Sequence, residues 1–216
     1  MKSILIIGMG LFGRKLAADL SRRGDEVMIV DRDEDVINEL SPRFTGAYIG
    51  DCTNEDVLRS LGVGNFDAVV VTVGGDFQSS LEITALVKEL GALRVIAKAD
   101  RDIQAKFLLR NGADEVVYPD RDMVQKLSLK LHARNIFDYV DLSQGYGIFE
   151  IAVPKSWVGR SLRESDIRRK HQINVLSIRD GNELLPVPDP DFVFTADDHV
   201  IIMGQEDVVL KLSNKG

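Results

Sequence analysis

The chain has one cysteine, Cys52, in 216 residues. That excludes an intramolecular disulfide framework and any cysteine-rich zinc site, and it suits a reducing cytoplasm. Positive charge is also in deficit, with 27 Lys and Arg against 34 Asp and Glu, a net charge of -7. A general nucleic-acid binder needs a positive surplus on some face to neutralise phosphates, so no nucleic-acid partner is expected. Long apolar runs are missing. The longest, Ile4–Gly13 and Ala68–Gly75, fall well short of the roughly 20 residues of a spanning helix. The opening Met1-Lys2-Ser3 followed by Ile4–Ile7 has the look of a signal peptide, but glycines follow it and no small-residue cleavage site does. Any membrane role is therefore expected to come through a partner.

Catalytic constellations are scarce too. The three histidines, His132, His171 and His199, have no ligand spacing. No Gly-x-Ser-x-Gly, Walker A or HExxH motif occurs. A hydride-transfer enzyme needs an acid–base group near its nicotinamide, and residues 121–216 offer no convincing one.

What is present is an alternation of strands and helices. Ile4–Ile7, Val27–Val30, Ala47–Ile49, Ala68–Val73, Arg94–Ala97 and Glu115–Tyr118 read as short buried strands from their β-branched and aliphatic runs. Between them lie helical spacings, with Asp33 and Asn54 as N-caps and Gly24, Gly91 and Gly112 as stops. Six such strands predict an α/β fold with a doubly wound parallel sheet over residues 1–120. Asp122–Val140 reads as one long helix with two apolar stripes. Met123, Val124, Leu127 and Leu131 form one; Leu129, Ala133, Ile136 and Val140 form the other. A helix with two stripes is expected to be wedged between two bodies, so residues 121–142 are read as a crossover. Residues 143–216 read as a small α+β unit: a strand over Gly147–Val153, a helix over Ser161–Lys170 opened by a Ser161–Glu164 capping box, a hairpin turning at Asp180-Gly181, a strand over His199–Met203 and a closing helix.

The strongest local signal is Gly8-Met9-Gly10-Leu11-Phe12-Gly13, directly after the first strand and opening a helix. Gly8 permits a tight turn, Gly10 lets a pyrophosphate approach the backbone and Gly13 lets the helix pack on the sheet. Asp31 ends the second strand, where a carboxylate can accept from ribose hydroxyls. The competing reading is a glycine-rich turn kept for packing. Asp51, Cys52, Thr72, Gly74, Lys98 and Asp120 leave the other strands at the same edge, where an open parallel sheet binds ligands. For Asp51 the alternative is a turn cap, and for Lys98 a solvated surface lysine. Arg160, Arg163, Arg168, Arg169 and Lys170 cluster in the C-terminal part, either as an anion site or as a solvated face with local ion pairs.

The order of Gly8–Gly13, Asp31, Gly50-Asp51, Thr72-Val73-Gly74 with Gln78-Ser79-Ser80, Lys98, Asn111–Asp114, Pro119–Met123 and Asn135–Ser143 resembles RCK domains. Asp166-Ile167-Arg168, Ile173-Asn174-Val175 and Asp197–Val200 resemble the second RCK subdomain. Nearly the whole chain is similar to the cytosolic regulatory subunits of Ktr/Trk potassium uptake systems, of the KtrA and KtrC kind. The resemblance implies a Rossmann-like nucleotide-binding domain, a crossover helix and a small C-terminal domain. It also implies a homodimer repeated into an octameric ring. The ring would dock on a membrane-embedded potassium channel subunit of the KtrB or TrkH kind, peripheral to the membrane.

In that family ATP and ADP compete for the crevice. Carried over by position, the contacts are Gly8, Gly10, Phe12, Gly13, Asp31, Asp51, Cys52, Thr72, Gly74 and Lys98, with magnesium or calcium near Asp120, where the family has glutamate. Leu11 stands where the family usually has an arginine reaching the phosphate of a neighbouring subunit's nucleotide. The nearest arginine here is Arg14, and this departure keeps NAD or NADH, as in TrkA-like relatives, as an alternative. The resemblance also implies cyclic di-AMP between two C-terminal domains, at Ile167, Arg168, Asn174, Val175 and Pro188. A reading from a different class is a small NAD(P)-dependent reductase, with Arg32 beside Asp31 meeting a 2′-phosphate.

Overall fold

The structure, a computed structural model, describes residues 1–213 other than Arg134 and Asn182. It begins with an alternation of β1 (Ser3–Ile7), α1 (Leu11–Arg22), β2 (Glu26–Asp31), α2 (Glu34–Leu40), β3 (Gly46–Ile49), α3 (Glu55–Leu61), β4 (Ala68–Val71), α4 (Phe77–Glu89), β5 (Val95–Lys98), α5 (Asp102–Arg110) and β6 (Glu115–Val117). The strands form one parallel sheet in the order β3-β2-β1-β4-β5-β6. Leu5 and Ile7 pack into the core on one face; Ile4 and Ile6 pack into that on the other. Burial on both faces is why β1 is continuously apolar. The expected caps form: Asp33 accepts from the Val36 N–H at 3.2 Å and Asn54 from the Asp56 N–H at 2.9 Å. The strand order reverses between β1 and β4, so the β1–α1 and β4–α4 loops leave the sheet edge in opposite directions and open a crevice between them.

A further helix, α6 (Pro119–His132), is shorter than the sequence suggested. Residues 136–140, read above as the end of that helix, belong instead to strand β7 (Ile136–Ser143), which pairs antiparallel with β8 (Tyr146–Ala152). Ile-Phe-Asp-Tyr-Val-Asp-Leu is rich in β-branched and aromatic residues, and a partner strand rewards them more than a helix does. Arg134, inside the expected helix, lies outside the described residues. Leu129, Ala133 and Ile136 are still buried in one core, but Val140 is 53% exposed, and the stripe of Met123, Val124, Leu127 and Leu131 is bare.

The C-terminal part continues with α7 (Leu162–Ser165), α8 (Ile167–His171), β9 (Asn174–Asp180), β10 (Glu183–Leu185), β11 (His199–Gln205) and α9 (Glu206–Ser213). Its sheet runs β10-β9-β11-β8-β7. The single helix expected over Ser161–Lys170 is two short helices, because Asp166 takes a left-handed conformation (φ 47°) between them. The Ser161–Glu164 capping box is present. Phe149, Ile151, Val200 and Ile202 of the sheet pack with Trp157, Phe194 and Ile167. The chain divides into two units, Met1–Arg121 and Asp122–Gly216. Among the described residues no helix is long and apolar enough to cross a membrane.

Candidate functional site

The loop from β1 to α1 is held by three side chains from elsewhere. Gly8 has φ 99°, and a Cβ there would lie 3.0 Å from the Val73 nitrogen. The Thr72 hydroxyl lies 2.6 Å from the Gly8 carbonyl and 3.1 Å from that of Ile7, and donates to them. Asp31 accepts the Met9 N–H on Oδ2 at 2.5 Å and the Asp33 N–H on Oδ1 at 3.0 Å. Arg14 donates from Nε to the Met9 carbonyl at 2.8 Å, and its guanidinium meets Glu39 at 3.2 Å. Thr72 and Asp31 therefore shape the loop in addition to facing the crevice. Arg14, the arginine nearest to Leu11, does not line the crevice: it is drawn to the groove between α1 and α2.

Two of the three glycines are required by the fold. A Cβ on Gly13 would stand 2.1 Å from the Gly8 carbonyl oxygen, so α1 can approach its own loop only without one. Gly10 is different: a Cβ there would meet nothing within 4 Å. It is the N-cap of α1, where no side chain caps the helix and no acid lies in the first turn. The first-turn N–H groups thus face the crevice with an uncompensated positive dipole, which is a cradle for an anion.

That cradle opens on a crevice of about 540 Å³, the size class of a cofactor site. Gly8, Gly10, Leu11, Phe12, Asp31 and Arg32 line one side. Asp51 and Cys52 line another. Asp51 accepts from the Thr53 N–H at 3.0 Å and the Thr53 hydroxyl at 2.8 Å, which holds its carboxyl below the usual carboxylate range. It therefore caps its turn and borders the crevice at once. Cys52 is buried, and burial pushes its thiol up to about 12, with the charges of Asp51 and Asp31 adding to this. It is a neutral packing residue, not a nucleophile.

Thr72, Gly74 and Lys98 close the far side. Lys98 is no solvated surface lysine: its side chain is 16% exposed, with Nζ 3.1 Å from Asp100 and reaching over Gly74. Asp120, at the start of α6, is an exposed lining residue. Among the described residues no three His, Cys, Asp or Glu side chains converge as a metal cage. A divalent ion at Asp120 fits only if phosphate oxygens and water supply the rest of its shell.

Two polar lining residues, Asp76 and Lys15, were not singled out in the sequence, and Ser79 was quoted only within a motif. Asp76 caps α4 by accepting from the Ser79 N–H at 3.2 Å and the Ser79 hydroxyl at 2.6 Å, and both border the crevice. The Asp-x-x-Ser spacing before a helix was the available signal. Lys15 was overlooked beside Arg14, although it lies one helical turn beyond Leu11 and so on the same face.

The C-terminal candidates are not all surface residues. Ile167 is 3% exposed inside the core, so its side chain cannot face a ligand without repacking. Arg168 and Asn174 are exposed, Val175 and Pro188 half-buried. Arg163 of the basic cluster pairs with Asp191 at 2.9 Å, and Lys170 donates to the Ser165 carbonyl at 3.0 Å. Arg168 and Arg169 make no ion pair among the described residues.

Known proteins share this architecture. The TrkA-N domain model matches residues 4–119 and the TrkA-C domain model residues 148–215. The Ktr system potassium uptake protein C of Bacillus subtilis (strain 168) is 38% identical over 203 residues, 94% of this chain and 92% of its own length. The Ktr system potassium uptake protein A of the same organism is 32% identical over 215 residues, 100% of this chain and 97% of its own. Among solved structures, the GsuK RCK domain superposes with a TM-score of 0.68 at 20% identity, over 99% of this chain and 47% of that one. At that identity the likeness concerns the fold. This chain spans less than half of the GsuK chains, which have also been solved bound to NAD (TM-score 0.55, 22% identity, 100% of this chain and 38% of that one) and to ADP (TM-score 0.54, 22% identity, 61% and 34%).

Proposed function

This chain belongs to the TrkA family of Ktr-type potassium uptake proteins, and on that premise we propose that it is a regulatory subunit switched by an adenine nucleotide in the crevice of its N-terminal unit. One observation carries the reading: the open, uncapped N-terminus of α1 at Gly10, facing a crevice bordered by Asp31. The α1 N–H groups would hold phosphate, Asp31 a ribose hydroxyl, and Lys98 a further phosphate charge. No bond is made or broken in this scheme. A nucleotide shifts a conformational equilibrium only by its difference in affinity between two states, and ATP and ADP differ by one charged phosphate. Asp120 would add a magnesium or calcium ion shared with the phosphates.

The mechanical output requires an assembly. We read it as dimers repeated into an octameric ring on a membrane-embedded potassium channel subunit of the KtrB or TrkH kind. The bare apolar stripe of Met123, Val124, Leu127 and Leu131 supports an interface between copies. Arg168 and Asn174 keep cyclic di-AMP as a ligand of paired C-terminal units. A second reading, NAD in the same crevice, is favoured by Asp31 at the ribose position and by the solved NAD complex of GsuK. A calorimetric panel of ATP, ADP, AMP, NAD and NADH separates the two. Affinity for ATP and ADP well above that for NAD supports the first reading and the reverse supports the second. Absence of binding across the panel removes the crevice from the mechanism.

A further inference from the structure

Three cationic side chains line the crevice: Lys15, Arg32 and Lys98. The other two stand elsewhere in the crevice. Lys98, tethered to Asp100 at 3.1 Å, reaches over Gly74, and Arg32, which makes no ion pair among the described residues, follows Asp31 at the end of β2, the ribose side. Lys15 has no ion pair and no side-chain hydrogen bond among the described residues. This contrasts with the other basic residues of its own helix and cap. Arg14 meets Glu39, and Arg22 and Arg23 both meet Asp19. Asp19 is the one acid placed one turn after Lys15, and its two carboxylate oxygens are taken by those arginines.

The direction of the side chain follows from helix geometry. Cα–Cβ bonds tilt toward the helix N-terminus, so a residue covers the turn before its own Cα. Lys15 thus leans over Leu11, which is 74% exposed in the first turn and has no polar group of its own. A lysine stem lies readily along such an apolar surface while its ammonium runs on toward the open end. The ammonium is then directed beyond the N–H cradle, to the place a phosphate chain reaches only after it has filled that cradle.

We propose that Lys15 is the residue that distinguishes a nucleoside triphosphate from a diphosphate in this crevice, by meeting the terminal phosphate past the N-terminus of α1. This rests on the nucleotide reading above. The two phosphates nearest the nucleoside would be held by the α1 backbone N–H groups, a cradle that a diphosphate and a triphosphate fill alike. The third needs a mobile cation, and Lys15 is the lining cation on α1 itself, with no ion pair among the described residues.

The test compares Lys15→Met and Lys15→Arg with the unaltered full-length protein in titrations with ATP, ADP and AMP at two salt concentrations. Lys15→Met should weaken ATP by about tenfold, equivalent to 1.4 kcal/mol, and leave ADP within about twofold and AMP unchanged, as expected for one lost charge-assisted hydrogen bond. The salt dependence of ATP binding should flatten while that of ADP does not, and Lys15→Arg should restore the ATP preference. An exposed side chain with no partners should leave the unfolding transition unmoved. Equal weakening of ATP and ADP, or of neither, overturns the proposal, as does an unaltered protein that binds both alike. If none of the three nucleotides binds the unaltered protein, the failure lies with the crevice reading itself and is visible before any substitution is made.

Discussion

Gly10 and Gly13 belong to one motif, yet the structure assigns them opposite roles, and two alanine substitutions separate these. A Cβ at Gly13 would lie 2.1 Å from the Gly8 carbonyl oxygen and 2.7 Å from the Thr72 hydroxyl oxygen, against 3.4 Å for ordinary contact. The first obstacle is backbone and cannot rotate away. Overpacking of this kind costs about 1–3 kcal/mol where side chains yield. Displacing Gly8 would also break its bond from Thr72, worth about 1 kcal/mol. Gly13→Ala should therefore destabilise the N-terminal unit by about 3 kcal/mol or more.

Gly10→Ala meets no protein atom, and the Gly10 φ of -67° suits any residue. Alanine is a poorer N-cap than glycine by several tenths of a kcal/mol, which the stiffer unfolded chain offsets by about 0.4–1 kcal/mol. Stability should stay within about 1 kcal/mol. The new methyl group would occupy the space into which a phosphate must come. If it forces out one charge-assisted hydrogen bond at about 1.5–3 kcal/mol, nucleotide affinity should fall by about tenfold to about 150-fold. Urea unfolding followed by circular dichroism measures the first quantity. Trp157, the one tryptophan and buried in the C-terminal core, reports that unit separately. Calorimetry measures the second. A Gly10→Ala protein that binds nucleotide normally would refute the phosphate cradle, and a Gly13→Ala protein of undiminished stability would refute the packing argument.

The bare stripe of α6 predicts that Leu127→Glu lowers the assembled mass in light scattering and leaves both units folded, whereas Ile136→Glu, at a 3% exposed core position, should unfold the C-terminal unit instead. An unchanged mass for Leu127→Glu would remove that stripe from the interface. If Asp120 shares a divalent ion with bound phosphates, ATP affinity should rise with magnesium, and Asp120→Asn should abolish the rise; a dependence that survives the substitution excludes Asp120. Burial pushes the Glu150 carboxyl up, but His199 at 3.1 Å and Arg179 at 2.9 Å outweigh it, and the net shift is downward. Its stabilising contribution is thus present above the unfolded carboxylate value, about 4.3, and is lost as pH falls through the lower folded value. Trp157 fluorescence should show the urea midpoint of the C-terminal unit dropping below about pH 4.5, with a shallower drop in Glu150→Gln; equal slopes would mean other carboxylates carry the acid response.

The central strands β2, β1, β4 and β5 were legible because burial on both faces makes them largely apolar, the half-exposed edge strands β3 and β6 only by their short aliphatic runs, and Asp33, Asn54 and Gly91 mark helix ends by local chemistry. The glycine motif was legible for the same reason: its requirements arise within six residues and one adjoining strand. What the sequence by itself determined is this local layer: most element types, the caps and the glycine-loop pattern. The tertiary structure decided the rest. Residues 136–143 carry a helical apolar spacing and a strand-forming composition together, and only the presence of β8 alongside them selects the strand. Ile167 has the same side chain whether it meets a ligand or a core, and its position against Trp157 and Phe194 in one cluster selects the core. Arg14 and Lys15 are adjacent cations on one helix. Glu39, on α2, draws Arg14 away from the crevice, while Asp19 is already taken by other arginines, and so of these two cations it is Lys15 that lines the crevice. A side chain's partner is set by which distant groups reach it first, and that competition is a property of three-dimensional packing that spacing along a chain does not encode.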